Sequence, residues 1–373
     1  MSKKIGFCFL SHKAHVRHQL PIAIALSEDP LYQVDIIVTT LDVYEEILRV
    51  SPNILEFKCS VRFLKGTPVK SLIGKIKKRS YPNIKNVVKA NKQLFLSYDA
   101  LVTPHSNLND VMAFDKKRAI KYICTFHGAG DGMIGFDQEF AKYDLLLAPG
   151  EDVANRLKAE GIHHAHNHLE KIGYVKFDTV SDTSTKVFVN NNPVILYNPH
   201  YMKGLTSWPC FGEAVLEYFA VNPQYNLIFA PHLKLFERGV PQSVSDYSRY
   251  ANIMIDCESD KLVDCTYTKQ ADVYLGDVSS QVYEFLYYNK GPVIYLNTDT
   301  PNNWKDNPNY AMWHLGCVVE SLGELDASLQ TQLASPHALS SEQALAVSKK
   351  FFASAKQPSD LGAQAIKRLL CTE

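Results

Sequence analysis

Short apolar runs of strand length alternate with helical patterns in two successive blocks of this chain, and that alternation restricts the fold more than any other feature. Ile5–Leu10 reads as a strand, Leu20–Leu26 opens a helix with Pro21 tolerated in its first turn, and Val34–Val38 reads as the next strand. Such a βαβ unit specifies a parallel sheet with right-handed crossovers. Further strands are expected at Ala100–Thr103, Tyr122–Phe126, Leu145–Ala148 and Lys171–Tyr174, with a helix over Asp152–Ala159. The stretch 181–192, rich in Ser, Thr, Asp and Asn, reads as a linker. A second block follows through Val194–Tyr197, Asn226–Ala230, Ala251–Ile255, Ala271–Leu275 and Pro292–Leu296, and helices over Ser340–Ala353 and Asp360–Leu370 close the chain. A chain of 373 residues exceeds one ordinary hydrophobic core. The expected fold is α/β, with two Rossmann-like doubly wound domains facing each other across a cleft. Residues 1–180 form the acceptor-side domain and 193–350 the nucleotide-donor domain, while a terminal helix in 351–373 crosses back to the first.

Composition narrows the setting. The formal charge is zero, so bulk nucleic-acid binding is not indicated. Eight cysteines without CxxC pairs suit a reduced, intracellular protein better than a disulfide or zinc framework, and no metal site is expected. The apolar run near Met1 is too short for a secretory signal, and no segment approaches the roughly 20 apolar residues of a membrane span. The expectation is a cytoplasmic protein, with membrane contact only peripheral at the inner face. Between Lys70 and Lys92 there is no acidic residue, and basic side chains interleave with Leu72, Ile76, Val87 and Val88. This segment suits an anionic membrane surface or a lipid-linked acceptor, and equally a solvated helix face.

The chemistry gathers where strands end. Asn226–Ala230 delivers His232 and Lys234 just beyond its carboxyl end, where open parallel sheets hold ligands. Ala271–Leu275 does the same for Asp277, Ser279 and Ser280. Val282, Phe285 and Leu286 then recur at helical spacing, so the two serines fall at a helix N-terminus that suits a phosphate; the bland alternatives are an N-cap and a satisfied loop histidine. Glu284 is a candidate for the ribose. In the first block, Tyr122–Phe126 runs into His127, Gly128 and Asp131 within a glycine-rich turn, where His127 reads as a general base or as a turn cap. The loop after the first strand carries His12, His15, Arg17 and His18, an anion cradle for an acceptor or a solvated loop; without a nearby carboxylate or thiol it is not a zinc motif.

The segments FHGAG (126–130), GYVKFD (173–178), ILYNP (195–199), APHLK (230–234) and DVYLGDVSS (272–280) occur in the order found in the CDP-glycerol glycerophosphotransferases of teichoic-acid and capsule synthesis. Over about residues 120–300 the chain resembles that family, which belongs to the glycosyltransferase-B (GT-B) superfamily. The resemblance implies a base at His127, roles for Lys176 with Asp178, and a donor held by His232, Asp277, Ser279 and Ser280. The chain departs from the family in lacking Thr-Pro after His127 and in carrying Lys176 where the family has arginine, which removes a bidentate phosphate fork. The implied activity is transfer from a nucleotide-activated polyol phosphate, such as CDP-glycerol, to a cell-surface polymer. The alternatives are a GT-B glycosyltransferase using a nucleotide sugar or a CMP-linked sugar acid, and a nucleotide-sugar 2-epimerase. In the expected mechanism His127 takes the acceptor's proton while His232, Lys234 and the Ser279–Ser280 helix start hold the pyrophosphate. No cofactor is expected to be required, although Mg2+ can accompany the donor nucleotide.

Overall fold

The computed structural model describes residues 2–371, except 55, 67–81, 129–135, 181–185, 238, 259, 299–302 and 335–337. Asp131 and most of the basic segment 70–92 therefore lie outside the described residues. The chain forms two compact units: Met1–Gly130, Ile134–Thr179 and Ser348–Glu373 make up the first, and Val180–Val347 the bulk of the second.

The first unit is built on seven parallel strands, β1 (Lys3–Phe9), β2 (Tyr32–Val38), β3 (Cys59–Phe63), β4 (Ala100–Thr103), β5 (Lys121–Cys124), β6 (Leu145–Ala148) and β7 (His168–Lys171). Their spatial order is β3-β2-β1-β4-β5-β6-β7. The winding direction reverses between β1 and β4, which makes the carboxyl ends of those strands the switch point where such sheets bind ligands. Both faces of β1 are covered. Ile5, Phe7 and Phe9 pack with the helix Leu20–Ser27 and the terminal helix Pro358–Cys371, while Cys8 and Leu10 pack with Leu101 and Tyr122 on the opposite face. Each fully buried side chain of this kind contributes roughly 1.5–3 kcal/mol. The two helices approach closely at Gly362, where an added Cβ would lie 2.8 Å from Cδ1 of Ile22. The chain end is tied to this unit by Lys350 to Asp152 (3.0 Å) and by the Ser359 amide to Asp178 (2.8 Å).

The second unit has six parallel strands, β8 (Val194–Asn198), β9 (Asn226–Phe229), β10 (Ile253–Ile255), β11 (Val273–Gly276), β12 (Val293–Leu296) and β13 (Cys317–Val319), in the order β10-β9-β8-β11-β12-β13. Its switch point lies between β8 and β11. β3 and β13 escape the apolar pattern because both are short edge strands, half exposed along their length. β7 occupies 168–171 rather than the expected 171–174: Gly173, at φ +90°, ends extended structure there, and the polar residues from His168 form the edge strand instead.

Candidate active site

Three imidazoles meet in the first unit, each carried on the loop after one of three adjacent strands. After β1 the chain enters a 3-10 turn, Lys13–His18, capped by Nδ1 of His12, which accepts from the Ala14 amide at 3.2 Å. This turn presents His15, whose Nδ1 lies 3.0 Å from Oγ of Ser11. After β4 comes His105; its Nε2 lies 3.1 Å from Nε2 and 3.3 Å from Nδ1 of His15. After β5 comes His127. Its ring centroid is 4.1 Å from that of His105 and 4.7 Å from that of His15, and its Nδ1 lies 3.1 Å from the carbonyl oxygen of Pro104. A donated Nδ1–H leaves Nε2 as the basic nitrogen.

The backbone forces His127 outward. Phe126 and Gly128 on either side both have positive φ, +51° and +78°, so the chain turns sharply where the strand stops. This conformation is costly for phenylalanine, and it is held by packing of the buried Phe126 ring against Phe136 and Phe140. Burial, followed by the neighbouring imidazoles, holds His15 well below the usual histidine range and therefore neutral. Beside the cluster, His18, Thr125, Phe126, Gly128, Gly173 and Tyr174 line a small pocket. Oγ1 of Thr125 is buried with no hydrogen-bond partner among the described residues.

Several expected site residues point elsewhere. Arg17 is 4% exposed: its Nε donates to Glu46 at 2.9 Å and its Nη1 to Thr179, so its guanidinium is committed to the protein interior instead of an acceptor phosphate. His18 is likewise buried, edge-on to Tyr174, and is kept neutral by burial and then by Lys176. Lys176 is buried too, which removes it from an exposed phosphate site. Among the described members of the expected acceptor set, His12, His15 and Gly128 retain surface.

In the second unit the loops after β8, β9 and β11 converge. Asp277 is fully buried and is a brace; the expected donor contact does not fit its position. Its carboxylate accepts from the amides of His200 (2.9 Å), Ser207 (2.6 Å) and Val278 (2.6 Å) and from Oγ of Ser207 (2.8 Å). Burial nevertheless pushes its pKa up to about 6. Ser279 also turns inward, donating to Oδ1 of Asn198 at 3.0 Å, while Nδ2 of Asn198 donates to the Ala230 carbonyl at 2.7 Å. Glu284 faces the core, where it accepts from Sγ of Cys265 at 3.4 Å; at 3% exposure it offers no carboxylate to a ribose.

Ser280 caps the helix Gln281–Asn289 without making a side-chain cap bond. Nearby, His200, Tyr201, His232 and Lys234 form an aromatic and cationic rim. The His232 ring is 5.3 Å from His200 and 4.4 Å from Tyr201, and Nζ of Lys234 lies 5.1 Å over the Tyr201 ring. Burial, then Lys234, lowers the His200 pKa to about 4, so this imidazole is neutral near pH 7.

Solved structures with this fold span the whole chain. A UDP-N-acetylglucosamine 2-epimerase superposes with a TM-score of 0.61 at 12% identity, covering 100% of this chain and 96% of its own. S. aureus MnaA in a co-structure with UDP gives 0.59 at 13%, with the same coverage. The glycosyltransferase of kitacinnamycin gives 0.55 at 12%, covering 99% of both chains. No family model and no curated protein matches the sequence. The fold is GT-B, shared by glycosyltransferases and UDP-N-acetylglucosamine 2-epimerases.

Sequence reasoning missed His105, Asn198, His200 and Tyr201. Each lies within a few residues of a strand's carboxyl end, so inspecting the loop after every strand of a doubly wound sheet would have found them.

Proposed function

We propose that the protein is a GT-B enzyme acting on a nucleotide-activated sugar, and that its reaction is glycosyl transfer to a hydroxyl acceptor. The observation that carries this reading is the placement of the His15, His105 and His127 imidazoles at the switch point of the first sheet, and of the His200–Tyr201–His232–Lys234 rim with Ser280 at that of the second. His232, Lys234 and the amides opening the helix Gln281–Asn289 hold the donor's diphosphate, and Asn198, Asp277 and Ser279 fix the loops that carry them. His127 Nε2 takes the acceptor proton as negative charge builds on the leaving nucleotide. That the neighbours' names include UDP and UDP-N-acetylglucosamine supports a uridine donor.

A second reading is favoured by the cluster itself. Inverting a C–H stereocentre requires both a proton acceptor and a proton donor, and three adjoining imidazoles supply both, as a nucleotide-sugar 2-epimerase needs. The motif order also keeps a polyol phosphate such as CDP-glycerol among the donors to be tried, with a glycan or lipid-linked acceptor. Membrane contact through 70–92 belongs to the same proposal. Within that segment Lys85, 77% exposed at its side chain, lies 3.7 Å from Asp110, and Lys92 lies over the Phe114 ring; no helix among the described residues is long and apolar enough to cross a membrane.

A panel of UDP-sugars, CMP-sugar acids and CDP-glycerol tests these readings by release of UDP, CMP or CDP with and without acceptor, alongside deuterium uptake from heavy water. Acceptor-dependent nucleotide release is expected. Deuterium uptake into a UDP-sugar without acceptor identifies the epimerase. Failure of the folded protein to bind or turn over any donor would remove the proposal.

A further inference from the structure

The closeness of His15, His105 and His127 has a meaning beyond acid–base chemistry. One ring nitrogen from each lies within 4.8 Å of the other two, and the His15 and His105 Nε2 atoms are already 3.1 Å apart. Tetrahedral zinc at about 2.0–2.1 Å from each nitrogen needs neighbouring ligand atoms about 3.3 Å apart, so one pair already has the required spacing. From this we infer that the three imidazoles form a binding site for a borderline divalent ion, Zn2+ or Co2+, with a fourth position left for water.

The surroundings orient the rings for this. Nδ1 of His15 is engaged by Ser11 and Nδ1 of His127 by the Pro104 carbonyl, which leaves the Nε2 atom of each as the nitrogen available to the ion. The loop bearing His105 is anchored from behind, where the buried Tyr143 hydroxyl donates to the His105 carbonyl at 2.7 Å. The same loop supplies the Pro104 carbonyl, so two of the three ligands share one support. Three imidazoles without a carboxylate favour zinc, cobalt or nickel over magnesium or calcium. The spacing of the three imidazoles does not depend on the proposed reaction, but His127 is common to both. An ion on Nε2 occupies the lone pair of the proposed base, so the loaded protein is expected to lose turnover and regain it with a chelator.

The test uses the metal-stripped full chain titrated with Co2+, read by the visible absorption of four-coordinate cobalt, and Zn2+ competition. One equivalent is expected to bind. Loss of an outer-shell partner typically costs 10–100-fold in affinity, so Ser11→Ala is expected to weaken binding about tenfold and His105→Gln by about 100-fold or more. His164→Gln with His166→Gln, altering a histidine pair whose rings lie 5.9 Å apart, is expected to leave affinity unchanged. Zinc X-ray absorption of the wild-type protein, which needs no variant to fold, is expected to show imidazole nitrogens at about 2.0–2.1 Å. A sulfur shell at about 2.3 Å, binding lost in the His164/His166 variant, or affinity unchanged in a folded His105→Gln protein would each overturn the site.

Discussion

Ser207 grips Asp277 twice, its amide and its hydroxyl both donating to Oδ2, at 2.6 and 2.8 Å, across 70 residues of sequence. With the His200 and Val278 amides on the same carboxylate, this contact joins the loop after β8 to the loop after β11. Asp277→Asn keeps the size but turns an acceptor into an amide whose NH2 faces donors. A buried network broken in this way should lose about 3 kcal/mol, read as a fall in the urea midpoint at unchanged slope. Nucleotide affinity should fall as well, because the loops lose their mutual anchor. A variant as stable as wild type would show that Asp277 braces nothing.

The rim should govern the donor. His232→Ala combined with Ser280→Ala is expected to weaken UDP or CDP binding by about tenfold or more, since each removes a group proposed to face the diphosphate. Calorimetry on the folded double variant decides it, and unchanged affinity would move the nucleotide elsewhere.

Loss of His127 should affect rate more than binding. His127→Ala is expected to lower turnover by roughly 10²–10⁴-fold while donor affinity stays near wild type, because the proposed donor contacts belong to the second unit. Single-turnover kinetics beside calorimetry separates the two effects. Wild-type turnover would return the base to the candidates His15 and His105.

Arg17 offers a test of structural against functional charge. Arg17→Ala leaves the buried Glu46 carboxylate paired with the half-exposed Arg49 and should cost about 3 kcal/mol, whereas replacing both buried partners by apolar residues, Arg17→Met with Glu46→Leu, should recover part of that loss. Thermal melts of the two variants measure the difference. Equal loss in both would mean that the pair matters for more than its mutual neutralisation.

Acid should weaken the second unit through His200. Its folded pKa of about 4 lies below the ordinary histidine value of 6.5, so between the two the unfolded chain binds more protons. This contribution to stability is complete above about pH 6.5 and is lost as pH falls toward 4, amounting to about 3 kcal/mol at most. Urea titrations at pH 5 and pH 7 should show a smaller pH difference in His200→Gln than in wild type.

The sequence by itself determined the class of this protein. Runs such as Ile36–Val38 and Leu145–Leu147 are apolar on both faces because parallel strands are covered on both sides, and helical periods between such runs leave few alternatives to a doubly wound sheet. It also placed His127, His232 and Ser280 near strand or helix ends, since turn and cap residues are local signals. Strand order and side-chain direction were decided only in three dimensions. Ser279 and Ser280 are adjacent and chemically identical, yet Ser279 turns in to meet Asn198, 81 residues away, while Ser280 caps the helix. Arg17 stands in a basic loop that suits a phosphate, yet Glu46, 29 residues on, draws its guanidinium inward. His105 gave no signal in its own loop. It became part of a cluster because β4 lies between β1 and β5 in the sheet, and pairing order depends on packing between distant segments, which no local pattern encodes.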